Sequence, residues 1–296
     1  MEEDAYNIPP SIEEDINAYE HELDKFLNGS ISSVLFRAKR VPRGIYEQRE
    51  NGTFMMRIRV PAGVLKCHQI YKIAEISKKY GNNLVHITTR QDIQLHDIKI
   101  QDTPTIMRRL VKVGLTTKGG GGNTVRNITA CPYAGICLNE CFDITSCVYA
   151  LTEYLISLPG SYNLPRKYKI SFSGCLKDCA LAKVADLGFI ATTKNNEYGF
   201  KVFVGGGMGA NSRIGDVLFD WAPASEVIRI AETVRRLFDK LGNRKDKHKA
   251  RLRFVLENTG IKEFYKKYVE EYENVIKDSV PIWSGIAGNE NIQNIN

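Results

Sequence analysis

Most of this chain is readable from where its apolar residues fall. Ile16, Tyr19, Leu23, Phe26 and Leu27 recur on one face of a helix that stops at Asn28-Gly29. Phe54-Met55-Met56-Arg57-Ile58-Arg59-Val60 alternates as a strand does and ends at Pro61-Ala62-Gly63. Over residues 65–80, Ile70, Ile73, Ala74 and Ser77 share a face among lysines and glutamates, an amphipathic helix closed by Gly81-Asn82. Residues 84–88 and 93–98 read as a strand pair around Thr89-Arg90-Gln91-Asp92. Thr103-Pro104 then opens a helix that turns Ile106, Leu110 and Val113 inward. The order β-α-β-β-α is most of a ferredoxin-like sandwich, which by itself says nothing about function.

The second half is less regular. Gly119-Gly120-Gly121-Gly122-Asn123 reads either as a hinge or as backbone passing close to a bulky ligand. A helix follows over 142–158, and a short strand over 168–172 runs directly into Cys175. Strands over 187–192 and 200–204 come next, the last entering Gly205-Gly206-Gly207-Met208-Gly209. That run lacks the GxGxxG spacing of a dinucleotide site. Residues 224–241 place Val227, Ile230, Ala231, Val234 and Leu237 on one helical face. Residues 244–276 read as basic helical segments, and 284–296 as a loosely ordered tail. Near the N-terminus, 31–52 holds Arg37, Lys39, Arg40, Arg43 and Arg49 against two acids and ends at Asn51-Gly52. It reads as a solvated strap whose residues 44–49 can reach into a site.

Composition narrows the class. With 43% hydrophobic and 25% charged residues, the chain has material for one large domain or two smaller ones. No apolar run approaches the roughly 18–20 residues of a membrane span. The acidic start, Met1-Glu2-Glu3-Asp4, lacks the basic region of a signal peptide, so a cytoplasmic protein is expected. The net charge of +7 fits an anionic ligand or acidic partner. Nucleic acid is disfavoured, because no aromatic stacking pattern, helix-turn-helix or finger accompanies the cations.

The chemistry concentrates in the cysteines. Six of seven, Cys131, Cys137, Cys141, Cys147, Cys175 and Cys179, lie within 49 residues; Cys67 stands apart. An odd count in a reducing compartment argues against a disulfide framework. Cys131-x5-Cys137, a gap of 37 residues, and Cys175-x3-Cys179 form two pairs. Four converging thiolates suit zinc or an iron–sulfur cluster. The wide first spacing, with Pro132 beside Cys131, fits tight zinc knuckles poorly. Cys141 and Cys147 are either substitutes within a pair or ordinary buried thiols. Cations bracket the same stretch: Arg57, Arg90, Arg126, and Lys167 and Lys169 at strand period two. Charges on a half-buried sheet are costly unless they meet an anion. With Gln48 and Gln94 they can surround a polyanionic cofactor and a small oxyanion.

These residues form a pattern. Arg57-Ile58-Arg59-Val60-Pro61-Ala62-Gly63, Thr89-Arg90-Gln91-Asp92-Ile93-Gln94-Leu95-His96 and Asn123-Thr124-Val125-Arg126-Asn127 resemble the sirohaem-dependent sulfite and nitrite reductases. Leu164-Pro165-Arg166-Lys167-Tyr168-Lys169, Ser173-Gly174-Cys175 with Cys179, Val204-Gly205-Gly206-Gly207 and Asn243-Arg244-Lys245 extend the likeness across residues 37–275. The resemblance implies an α+β fold: a ferredoxin-like half domain over 49–118, then an α/β sirohaem and 4Fe-4S domain over 119–245. An N-terminal helix and strap (1–48) and a C-terminal helical segment and tail (246–296) flank them.

Cys131, Cys137, Cys175 and Cys179 match the [4Fe-4S] ligands, with Cys179 bridging to the sirohaem iron. Arg57, Arg126, Lys167 and Lys169 match the cations that hold the oxyanion and supply protons. Gln48, Arg90, Gln94 and Arg166 match groups that bind the sirohaem carboxylates. The implied activity is six-electron reduction of sulfite to sulfide or nitrite to ammonia, since one cationic ring suits both anions. Electrons would come from a ferredoxin or a reductase subunit. A non-catalytic iron–sulfur electron-transfer subunit and a structural zinc protein are the competing readings. Members of the family usually pair two such halves, so a homodimer or a partner subunit is expected to complete the site, with a truncated chain or a split gene as equal alternatives.

Overall fold

The computed structural model describes residues 6–50, 52–209 and 212–285. The acidic start at Met1–Asp4, Asn51 of the expected turn and residues 286–296 of the tail lie outside them. The first half pairs four antiparallel strands in the order β1-β2-β4-β3: β1 (Ile45–Glu47), β2 (Thr53–Ile58), β3 (Val85–Ile87) and β4 (Ile93–Lys99). Helices α1 (Ser11–Leu27), α2 (Ser33–Arg40), α3 (Cys67–Tyr80) and α4 (Thr103–Val111) contribute to its core. Alternation along β2 works as its sequence demands: Phe54, Met56 and Ile58 are buried, whereas Met55 and Arg57 project to the opposite face. On that face Arg57 stands opposite Gln94, and Gln94 opposite His86.

The segment expected to be a solvated strap is instead structural. Ser32 caps α2 by accepting from Leu35 N. Two of its cations find internal partners, while Arg37, Lys39 and Arg49 stay exposed. Arg40 is 5% exposed and donates to Ile45 O and Glu47, and Arg43 forks onto Asp15 at 2.8 Å. Arginines with fixed carboxylates and carbonyls behave as scaffold rather than as a free surface. The segment also supplies β1. A β-α-β-β-α-β sandwich places its last strand after the second helix; here the place beside β2 is filled from upstream.

The second sheet runs β5 (Thr129–Ala130), β6 (Ile170–Ser173), β7 (Leu187–Lys194), β8 (Glu197–Val204), β9 (Asp216–Pro223) in spatial order. The first three are parallel and the rest antiparallel. Its core joins Phe172, Phe189 and Phe200, with the first two rings stacked at 4.5 Å, to helices α5 (Thr145–Ser157), α6 (Val227–Leu241) and α7 (Leu252–Lys277). The sequence reading contains no strand at β9. The basic segment expected over 244–276 becomes helical at Leu252, with Gly260 left-handed inside it (φ 72°). Among the described residues no helix is long and apolar enough to cross a membrane.

The glycine run joins the halves and is not a free hinge. Gly119, Gly120 and Gly121 are buried. Gly119 N donates to Pro42 O at 2.8 Å. A Cβ on Gly121 would fall on the Val41 carbonyl oxygen and the Tyr46 hydroxyl. The close approach anticipated there is to the chain's own N-terminal segment.

Candidate functional site

A cleft of about 430 Å³ opens between the β3–β4 turn, β5, β6 and the loop after Cys175. Arg90, Lys169, Cys179 and Arg251 line it. The turn is locked to the second sheet by Gln91, whose amide donates to Ala130 O (2.8 Å) and accepts from Ala130 N (3.0 Å). Asn127 donates to Val60 O and Arg90 O, pinning the same corner.

Four arginines gather behind the turn. The Gly120 carbonyl accepts from Arg57 Nη1 (2.9 Å) and Arg126 Nη2 (2.6 Å). Arg59 donates to Lys118 O and Arg126 O, and Arg90 to Ile170 O at 2.6 Å. With its amide oxygen turned inward, Gln94 accepts from Arg57 Nη2 at 2.7 Å. The Nε atoms of Arg59, Arg90 and Arg126 are buried without a hydrogen-bond partner. Burial outweighs the neighbouring carboxylates and pulls Arg90 down to about 10; Arg126 is lowered by the same cause.

Lys167 and Lys169 enter from the strand leading to Cys175. Burial, then the charges of Arg90 and Arg251, lower Lys169 to about 8, against Asp186. Lys167 is lowered by burial and then by Arg251. Beneath them Asp186, fully buried, accepts from Lys169 N (2.9 Å) and takes Arg251 as a fork at 2.9–3.0 Å. Burial pushes the Asp186 carboxyl up while the Arg251 fork opposes it.

The thiols are presented by two loops. Cys131 N donates to Phe172 O, continuing the β5–β6 pairing, so Cys131 is held at the strand end and buried. Burial raises its thiol, and the nearby Cys179 and Cys175 sulfurs add to the effect. Cys175 is buried and Cys179 exposed. Asp178 organises the loop between them: its carboxylate accepts from Ser173 Oγ (2.6 Å), Ala182 N (2.7 Å) and Lys183 N (3.1 Å). Cys137 is half-exposed on the loop after Cys131, its carbonyl accepting from Glu140 N. Among the described residues no three His, Cys, Asp or Glu side chains stand close enough for a single ion.

The structure thus brings together Arg57, Arg90, Gln94 and Arg126 as one group, and Lys169 with Cys179 on the cleft. Arg166 is half-buried with no hydrogen bond or ion pair among the described residues. Gln48 is apart: it sits at the far end of β2, bonded both ways to Asp97. Cys141 donates to Ala191 O, Cys147 is fully buried on α5, and Cys67 is exposed at the start of α3. Sequence reasoning did not single out Asp92, Asp178, Asp186 or Arg251. Asp92 and Asp178 carried a signal, lying inside the Thr89–His96 stretch and the Cys175-x3-Cys179 motif.

Comparison with known proteins adds to this geometry. Residues 121–277 match the nitrite and sulphite reductase 4Fe-4S domain, and 46–113 the nitrite/sulfite reductase ferredoxin-like half domain. The chain is 34% identical over 238 residues to a ferredoxin–nitrite reductase of Synechococcus elongatus, covering 78% of this chain and 46% of that protein. To sulfite reductase [ferredoxin] 1 of Mycolicibacterium paratuberculosis it is 33% identical over 250 residues, covering 78% and 44%. The Mycobacterium tuberculosis NirA structure superposes with a TM-score of 0.81 at 29% identity, covering 95% of this chain and 54% of that one. The chain spans less than half the length of the two curated relatives.

Proposed function

The chain belongs to the nitrite and sulfite reductase family, and on that premise we propose that it reduces a small oxyanion, sulfite or nitrite. It does so with a sirohaem and a [4Fe-4S] cluster, taking electrons from a ferredoxin or a reductase subunit. The observation that carries the reading is the juxtaposition, across one cleft, of Arg90, whose buried Nε lacks a hydrogen-bond partner, and of Cys179, whose sulfur lies near that of Cys131. Soft thiolates suit iron–sulfur chemistry, and buried guanidiniums suit a polycarboxylate macrocycle or an oxyanion. The donor chemistry therefore suits both groups, with the Cys131, Cys175 and Cys179 sulfurs as neighbours and Cys137 on the loop that follows Cys131.

Cys131, Cys137, Cys175 and Cys179 would hold the cluster, and Cys179, the exposed member, lines the cleft where the sirohaem would lie. When bound, the two groups would supply one-electron redox chemistry at iron. Arg90, with Gln94, Arg166 and Gln48 as further candidates, holds sirohaem carboxylates. Arg57 and Arg126, aligned by the Gly120 carbonyl, orient the anion and keep their charge throughout. Lys169, poised near 8, is protonated at neutral pH yet releases its proton readily, as a general acid beside a leaving oxygen must. Lys167 assists from the same side of the strand. We assign the ferredoxin-like unit to 49–118 and the cofactor unit to 119–245. From the N-terminal 1–48 segment, apolar residues between Ile8 and Ile45 contribute to the first core.

A second half, from another copy or a partner chain, completes the enclosure. The half-length match to relatives supports this, as does edge strand β3, where Val85 and Ile87 are 47% and 76% exposed. Sedimentation of cofactor-loaded protein as an active monomer would refute the second half.

The test of function is the absorption spectrum of anaerobically purified protein with nitrite- or sulfite-dependent oxidation of reduced viologen. Soret and long-wavelength bands with turnover are expected. A cluster shoulder alone, or a colourless zinc protein, would overturn the reading.

A further inference from the structure

Asp92 lies at the end of the β3–β4 turn and is 2% exposed. Its main-chain N–H donates to Thr88 Oγ1 at 3.0 Å, which fixes the residue but leaves its carboxylate free. Oδ2 stands 4.0 Å from Arg57 Nε, and Oδ1 is buried with no hydrogen-bond partner. The charged groups that face it are Arg57 of β2, Arg59 just beyond β2, Arg90 of its own turn and Arg126 of the segment before β5. One carboxylate therefore stands among four guanidiniums. Two of those, Arg57 and Arg126, share the Gly120 carbonyl and are the pair assigned above to the substrate anion.

An anion that docks on Arg57 and Arg126 competes with Asp92 for the same cations. Two negative charges in one buried cluster repel each other strongly. The anion is held by the arginines, whereas Oδ1 of Asp92 has no hydrogen bond to favour its ionised form. We propose that Asp92 couples oxyanion capture to proton uptake: as the anion enters, the Asp92 carboxylate takes one proton, and it returns that proton when the anion leaves. Charge balances, since one anion and one proton enter together, and no electron moves. Burial, opposed by the four arginines, holds the carboxyl at about 6, so it is mostly ionised at pH 7 yet close to protonation.

The inference rests on the reductase reading. Nitrite is the probe, because it stays a single anion across pH 5.5–7.5, a window below the value of about 8 for Lys169. The sirohaem-loaded, oxidised protein is titrated with nitrite through its Soret band. Proton uptake is read in parallel by calorimetry in two buffers of different ionisation enthalpy. Wild-type affinity is expected to fall by up to about tenfold per pH unit above pH 6.5, with close to one proton taken up per nitrite. Asp92→Asn keeps the shape without the charge. It should bind nitrite more tightly than wild type at pH 7.5, with a flat pH dependence and no proton uptake.

Zero uptake in wild type at pH 7, or the same slope and proton count in Asp92→Asn, would overturn the coupling alone. The wild-type proton count needs no variant and stands if Asp92→Asn does not fold. Absence of any nitrite-induced spectral change in the loaded wild type at pH 6 would refute the reductase reading, and the coupling with it.

Discussion

Replacing Asp186 by Asn isolates the strongest buried ion pair beneath the cleft. Asp186 is 0% exposed and its partner Arg251 has 13% of its side chain exposed, so water screens the pair little. At 2.9 Å and an effective dielectric near 20, the gross attraction is roughly 6 kcal/mol. Much of that offsets desolvation, so the intact pair contributes modestly. Removing one partner is different, because it strands a buried guanidinium; such losses run about 3–5 kcal/mol. Asn can still accept from Lys169 N, which places the expected loss near the lower end, about 3 kcal/mol.

Urea unfolding of Asp186→Asn, Arg251→Met and the double variant measures the loss and the coupling together. The double variant should lose far less than the sum of the singles. If Asp186→Asn lies within about 1 kcal/mol of wild type, or the singles add, the pair does not hold this corner. A second consequence follows for Lys169. Asp186 is the carboxylate that opposes its loss of a proton, so the variant should lower the Lys169 titration below about 8, measurable by NMR of the methylated amine.

Other outcomes are equally direct. Gly121→Ala places a methyl on Val41 O and the Tyr46 hydroxyl and should cost about 1–3 kcal/mol in thermal unfolding; an unchanged midpoint would contradict the packed junction. Asp178→Ala removes three hydrogen bonds under Cys179; it should lower stability by about 2–3 kcal/mol and reduce iron retained after anaerobic reconstitution. Full iron content would show that the loop holds without the carboxylate. Lys169 is charged in both folded and unfolded states below about 8. As pH rises from there towards 10.5, the folded state releases its proton first, so stability should rise. After solvent screening the gain is on the order of 1 kcal/mol, and Lys169→Met should abolish it.

The elements that carried long periodic patterns were legible: α1, α3, α4 and α6, and the alternation of β2. Those that failed were short or interrupted. Ile45-Tyr46-Glu47 is too brief to display a period, and β9 places Asp216 and Asp220 where an apolar residue would complete one, with register shifts against β8. The basic segment misled because two of its arginines, Arg40 and Arg43, are paired with Glu47 and Asp15, partners visible only after folding. For the candidate site, the cations and thiols could be proposed because each belongs to a local motif. Their counter-charges could not. Asp92 meets Arg126, and Asp186 meets Arg251, across long stretches of chain, and no spacing rule says which acid a fold will bury beside which base.

The upstream origin of β1 bears on how the protein is made. Apart from Ile156, every buried residue of the first core precedes Thr116. On the ribosome, the strand that completes the four-stranded sheet is synthesised before the strands it joins, so that sheet awaits nothing from downstream. The N-terminal module can therefore fold as a unit while the rest is still being translated. Arg57 and Arg90, though made early, gain their carbonyl partners only when Gly120 and Ile170 have been added. The corner that faces the thiols therefore closes last, once Ala130 and Ile170 have arrived to hold the β3–β4 turn.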